Sequence, residues 1–158
     1  MKKFKTFFSA AFIIGILALS NTPAKAHCEI PCGIYGDSMR IAMIYEDIET
    51  IEKSMNMINT LSEADSPDSN QLVRWVMNKE EHANKIQEIV SQYFLHQRIK
   101  VVSADDDEAY RKYIKQLELL HHIAVFAMKS KQSTDLSIID TLREKVHAFE
   151  HAYFGDEH

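Results

Sequence analysis

The sequence predicts an all-α chain, an antiparallel up-down four-helix bundle preceded by a short cysteine-containing hook. Apolar residues recur at three- and four-residue steps in four stretches separated by polar segments, and no stretch alternates with a strand period over a convincing length. The only two cysteines, Cys28 and Cys32, lie together just ahead of the first helical stretch. Amphipathic helices joined by short loops bury their stripes most economically as antiparallel neighbours.

The first helix carries Ile41, Ile44, Ile48, Ile51, Met55 and Ile58 on one face and ends near Ser62. The polar segment after it holds Pro67, which suits a first helical position. Leu72, Val76, Ala83, Ile86, Val90 and Tyr93 or Phe94 form the inner stripe of a second helix. Residues 101–104 read as a connector, in which Ser103 offers a capping hydroxyl and Asp105, Asp106 and Asp107 favour the positive end of the next helix dipole. The third stripe is Tyr110, Ile114, Leu117, His121 or Leu120, Ala124 and Met128. Thr134 and Asp135 cap a fourth helix that buries Ile139, Leu142, Val146, Phe149 and Tyr153, and Gly155 stops it.

Residues 1–26 read as a cleaved secretory signal peptide. Lys2, Lys3 and Lys5 form a positive start, residues 7–19 are mostly apolar, and Ala24 and Ala26 flank Lys25 as the small residues a signal peptidase requires. The apolar run is shorter than the roughly 20 residues that span a bilayer, which argues against stable membrane anchoring. The division is then 1–26 signal, 27–35 hook, and 36–158 bundle, with the hook and bundle forming one domain. Localisation follows as exported, either periplasmic or secreted. Cleavage removes four lysines and no acid, so the formal charge of −5 becomes more negative, and no basic patch for nucleic acid is visible.

An oxidising compartment makes a disulfide the default for two cysteines. Residues 27–35, His-Cys-Glu-Ile-Pro-Cys-Gly-Ile-Tyr, offer a second reading as an N-terminal metal-binding hook. A free His27 brings an α-amine and an imidazole, Cys28 a thiolate and a backbone amide, and Cys32 a second thiolate. A divalent metal displaces the protons of such groups near neutral pH. Amine, amide and two thiolates favour the square-planar geometry of Cu(II) or Ni(II). Pro31 fixes φ for the turn between the cysteines, and Gly33 permits close backbone approach after it.

The pattern HCxxPCGxY, followed by a four-helix domain, resembles the nickel superoxide dismutase family, and the likeness extends to Lys79-Glu80-Glu81-His82-Ala83 and Gln92-Tyr93-Phe94. The resemblance implies an enzyme that converts superoxide to dioxygen and hydrogen peroxide by Ni(II)/Ni(III) cycling. It implies one nickel ion per subunit, held by His27, Cys28 and Cys32, with Tyr35 near the open axial face as a further catalytic residue. Superoxide is then the small-molecule substrate, and the family suggests a homohexamer. Relatives often carry an acid after Arg-Ile that supports the axial imidazole. Here Arg40-Ile41 is followed by Ala42, and His82 stands where an arginine is expected, which leaves Glu46, His82 or a neighbouring subunit to give that support.

Two other readings compete. A periplasmic nickel or copper carrier would use the same ligands without turnover. A ferritin-like di-iron bundle would use Glu118-x-x-His121 and Glu144-x-x-His147, although both motifs fall on consecutive helices and no inward Glu is evident on the first two. The run from His147 to His151 also matches HxxEH, a zinc peptidase pattern, but Phe149 belongs to the core stripe. His96, His121 and His122 read as surface or core residues, and the methionines as core.

Overall fold

The computed structural model describes residues 33–155. Four α-helices follow one another, α1 (Asp37–Ser62), α2 (Ser69–Glu88), α3 (Asp107–Gln132) and α4 (Ser137–Phe154), and a π-helical segment, Ile89–Arg98, continues α2. No strand occurs among the described residues, and none of their helices is long and apolar enough to cross a membrane.

Side-chain bonds between helices fix the direction of each. Along α1, Asp37 meets Tyr153, Tyr45 meets Glu150, Glu52 meets Arg143, and Asn59 meets Thr134, so α4 runs opposite to α1. Asn78 reaches Ser54 and His82 reaches Asp47, which makes α2 antiparallel to α1 as well. Lys79 meets Ser130 and Gln87 meets Ala124, so α3 opposes α2. Neighbours are therefore sequential, with α4 closing the ring against α1. This is the expected up-down bundle.

The predicted stripes of α1 and α4 are buried as read, apart from Tyr153, which is half-buried. Two other stripes need correction. In α2 the core begins at Ala83, and Val76 is exposed while Leu72 is only partly covered. Lys79 lies level with the end of α3, so the first turns of α2 extend past that helix. In α3 the buried face is Gln116, Leu119, Leu120, Ile123, Ala127 and Ser130, while Ile114, His121 and Met128 are exposed. Two polar residues on the inner face disguised it. Gln116 donates to the Ala152 carbonyl and Ser130 to the Ala127 carbonyl, so each is buried with its hydrogen bond made.

The helix ends also differ in detail. Asp68, not Pro67, starts α2, and its carboxylate accepts from the amides of Asn70 and Gln71. Asp106, not Ser103, caps α3 by accepting from Ala109. Asp135 accepts from the Ser137 amide at the start of α4. Gly155 ends α4 at φ +86, donating back to His151, as the sequence predicts. At the other end of α3, the Lys79 ammonium, 4 % exposed, donates to the carbonyls of Ser130 (2.8 Å), Lys131 (2.7 Å) and Ser133 (3.0 Å). A side chain from α2 thus satisfies carbonyls that a helix terminus otherwise leaves open.

Candidate metal centre and its anchor

His27, Cys28 and Cys32 lie outside the described residues, and Tyr35 lies within them. The described chain begins at Gly33, whose φ of +73 is a conformation that glycine adopts without Cβ strain. Ile34 is 80 % exposed and Tyr35 46 % exposed, so this segment is not held by burial in the core. It is held by polar and aromatic contacts at the first residue of α1.

Asp37 is the centre of that anchor. Arg98 donates to it in fork geometry, Nε to Oδ1 at 2.9 Å and Nη2 to Oδ2 at 2.7 Å. Tyr153 donates to Oδ2 at 2.8 Å, and the Tyr93 hydroxyl donates to Oδ1 while accepting the Gly36 amide at 2.9 Å. The Arg98 guanidinium also covers the face of Tyr35, 4.1 Å from its centroid, and the Tyr35 and Tyr93 rings meet edge to face at 6.2 Å. Arg40 lies over the other aromatic partner, 5.0 Å from the Tyr93 centroid. Residues from three elements therefore fix Tyr35, Gly36 and Asp37.

The charges in the anchor are settled by these contacts. Burial pushes the Asp37 carboxyl up, but the hydrogen bonds from Arg98, Tyr93 and Tyr153 outweigh it and hold its pKa below the ordinary value. Burial and the adjoining Asp37 carboxylate push Tyr93 and Tyr153 up to about 12. The bond to Asp37 raises Arg98 further above its already high value. Near neutral pH the anchor is thus an ion pair flanked by two neutral phenols.

The π-helical segment explains why Tyr93 and Arg98 reach the same carboxylate. Five residues of α-helix advance about 500°, which leaves their side chains about 140° apart. Bonding from i to i+5 restores the register. The Ile99 amide donates to the Phe94 carbonyl at 2.9 Å, and the Gln97 side chain to the Gln92 carbonyl at 2.8 Å, both across five residues. Periodicity based on α-helix gave no reason to pair Tyr93 with Arg98. Tyr93 was legible as a core position, whereas Asp37, Arg98 and Tyr153 were missed as parts of one site.

His82 is engaged elsewhere on α1. Its Nδ1 lies 2.6 Å from Oδ1 of Asp47, which is 7 % exposed. Burial raises the Asp47 pKa and outweighs the lowering effect of His82. Glu46 is exposed beside this pair, as is Ala42 one turn earlier. The sequence left His82 and Glu46 open as supports for the axial imidazole, and the structure gives His82 a buried carboxylate partner.

The di-iron and zinc peptidase motifs do not form internal sites. Glu118 pairs with Lys115, Glu144 pairs with Lys145, and His121 and His147 are exposed, so neither ExxH motif turns inward. Among the described residues no group of three or more His, Cys, Asp or Glu side chains is placed to hold a metal ion. Imidazole and thiolate, the side-chain donors of His27, Cys28 and Cys32 outside the described residues, are ligand types that suit nickel.

A family model described as nickel-containing superoxide dismutase matches residues 22–157, which take in the hook and the whole bundle. The chain belongs to the nickel-containing superoxide dismutase family. No curated protein and no solved structure gives a significant match. A nickel-containing superoxide dismutase is an oxidoreductase with nickel as cofactor and superoxide as substrate. The family match gives the reaction, and the anchor around Asp37 is what the fold of this chain adds to it.

Proposed function

We propose that this superoxide dismutase carries its nickel at the mature N-terminus, one ion per subunit. Export and cleavage after Ala26 free the His27 amine, and the ligands are that amine, the His27 imidazole, the Cys28 thiolate and amide, and the Cys32 thiolate. Bound nickel supplies a one-electron couple between Ni(II) and Ni(III), so that one superoxide is oxidised to dioxygen and a second is reduced, with two protons, to hydrogen peroxide. The protein works as a homohexamer in the periplasm or outside the cell.

The observation that carries this reading is the coincidence of the HCxxPCGxY pattern with a densely hydrogen-bonded start of α1 directly after it. Metal ligands work only when held in place by a supporting shell, so what fixes the chain directly after the ligands bears on the site. Arg98, Tyr93 and Tyr153 hold that stretch through Asp37, and the Tyr35 ring is clamped between the Arg98 guanidinium and Tyr93. Tyr35 stays 46 % exposed in this clamp, which leaves an aromatic face and a hydroxyl available to order solvent or screen small anions. The acidic surface of the chain does not favour anion approach, and Arg40 and Arg98 are the cations beside Tyr35 and Tyr93 that offset it.

Superoxide decay measured with nickel-loaded residues 27–158, beside the same protein starting at Ala26, tests the reading. Fast decay is expected only from the form that begins at His27. Equal rates from both would remove the free amine from the ligand set, and tight nickel binding without turnover in either would favour a metal carrier.

A further inference from the structure

Two histidines on the last helix have no role in the core or in the proposed centre. α4 buries Ile139, Leu142, Val146 and Phe149, while His147 and His151 lie on its exposed side. They are one helical turn apart and share a face. Their ring centroids are 4.7 Å apart with the planes inclined at 68°. With Glu150 and Gly155 they line a cleft of about 110 Å³ at the end of the helix.

That spacing matches a shared ion. An imidazole nitrogen binds a metal at about 2.0–2.1 Å, which places the ion about 3.2 Å from the ring centre, so two rings at roughly 90–110° around it have centroids about 4.5–5.2 Å apart. The observed 4.7 Å falls inside this range without any change of the helix. The surroundings favour a cation as well. The Tyr45 hydroxyl holds the Glu150 carboxylate at 3.2 Å beside the rings, and His147 also borders a cleft containing Asp140 and Glu144. Arg143, the cation in that cleft, is paired with Glu52 and Asp140. The carbonyl end of α4 adds negative potential of its own.

We propose that His147 and His151 form a surface chelate for a borderline divalent cation of the Ni(II), Cu(II) and Zn(II) class, separate from the hook. Imidazole nitrogen ligands select these ions over Mg(II) and Ca(II), which take oxygen ligands. Glu150, which lines the same cleft, is the nearest carboxylate to the two rings among the residues that form it. Tyr153, two residues after His151 in the last turn of α4, donates to Asp37, so the chelate lies at the end of the bundle where α1 begins. A metal held there is retained at the protein surface near the start of α1.

The test uses untagged residues 27–158 with His27→Ala, Cys28→Ser and Cys32→Ser, titrated calorimetrically with Ni(II) and, separately, with Mg(II). One Ni(II) per chain and no Mg(II) are expected. His147→Ala or His151→Ala should each weaken the Ni(II) affinity on the order of 100-fold, because the second imidazole binds as an intramolecular ligand. Both side chains are exposed, and unchanged helical circular dichroism checks that the variants fold. Absence of Ni(II) binding, or binding unaffected by both substitutions, overturns the proposal. The nickel-loaded His147→Ala/His151→Ala protein with an intact hook should keep its superoxide decay rate, and a loss of that rate would mean that the two sites are not separate. Failure of the hook reading itself appears only in the wild-type rate, not in this titration.

Discussion

Arg98 grips Asp37 with two parallel hydrogen bonds, 2.9 and 2.7 Å long, across 61 residues of sequence. One partner ends the π-helical segment and the other begins α1, so the bond joins the two element ends beside the Tyr35 ring. A lysine at position 98 keeps the charge but lacks the planar fork and the stacking surface over Tyr35. Arg98→Lys is expected to lower stability by about 1–2 kcal/mol, the scale of one charge-assisted hydrogen bond. Urea unfolding followed by circular dichroism measures it, and a loss below the error of the fit would show that the fork carries no net stability.

Two aspartates of α1, the partly buried Asp37 and the buried Asp47, should respond to acid with opposite sign. The folded pKa of Asp37 is lowered, so its contribution is fully present above the unfolded value of about 3.9 and is lost as pH falls through the lower folded value. The folded pKa of Asp47 is raised, so its ionisation costs stability as pH rises through the folded value. Asp37→Asn should therefore destabilise the protein near neutral pH and flatten the acid limb of its stability curve. Asp47→Asn, which keeps an acceptor for His82, should cost less at neutral pH and steepen that limb. Unfolding free energies from pH 2 to 7 for both variants, on the order of the range where carboxylates titrate, distinguish them.

Tyrosine ionisation offers a view of the same anchor from the alkaline side. Tyr93 and Tyr153, both bonded to Asp37, and Tyr45, bonded to Glu150, are each pushed up to about 12. Unfolded tyrosines lose their proton near about 10, so the stability these three contribute is present below that pH and is lost as pH rises toward their folded values. A tyrosinate absorbance titration should show a late phase from these three, above the ordinary tyrosine value of about 10. Asp37→Asn should return Tyr93 and Tyr153 toward the ordinary range and leave Tyr45 delayed.

Lys79 ties α2 to the end of α3 by donating to three carbonyls. Replacing it by methionine keeps most of the buried stem but leaves those carbonyls without their donor. Lys79→Met should cost about 2–4 kcal/mol, since each unsatisfied buried group costs about 1–3 kcal/mol and water reaches part of this end. Denaturant midpoints at unchanged m-value check the figure.

Legibility in the sequence followed the physics of each element. The α1 and α4 stripes were plain because every inner position was apolar and spaced by three or four, and the loops announced themselves through polar runs and Gly155. The α3 face was hidden by Gln116 and Ser130, whose hydrogen bonds permit burial that hydropathy does not foresee. Val76 was misplaced because a stripe does not reveal where the partner helix stops. The hook reading rests on residue types and spacing alone, since Cys28, Cys32 and His27 form a local pattern that lies outside the described residues. Its anchor could not, because Asp37, Tyr93, Arg98 and Tyr153 come together only after α1, the π-helical segment and α4 have packed.

Tyr35 is where the anchor and the proposed nickel chemistry meet, and two substitutions separate its ring from its hydroxyl. Its ring contacts Arg98 at 4.1 Å and Tyr93 at 6.2 Å, and both contacts survive in Tyr35→Phe. Stability should then change by less than about 0.5 kcal/mol, as for other exposed positions. If the hydroxyl orders solvent or screens anions, Tyr35→Phe should alter turnover or the inhibition by small anions such as azide while nickel content stays constant. Tyr35→Ala removes the stacking surface as well, and should cost about 0.5–1 kcal/mol for the lost cation–π and edge contacts. A loosened hook should appear in that variant as nickel lost faster to a chelator, a readout that the phenylalanine variant does not share. Identical kinetics in wild type and Tyr35→Phe, with slow nickel loss in both, would assign Tyr35 to holding the hook and remove its hydroxyl from the reaction.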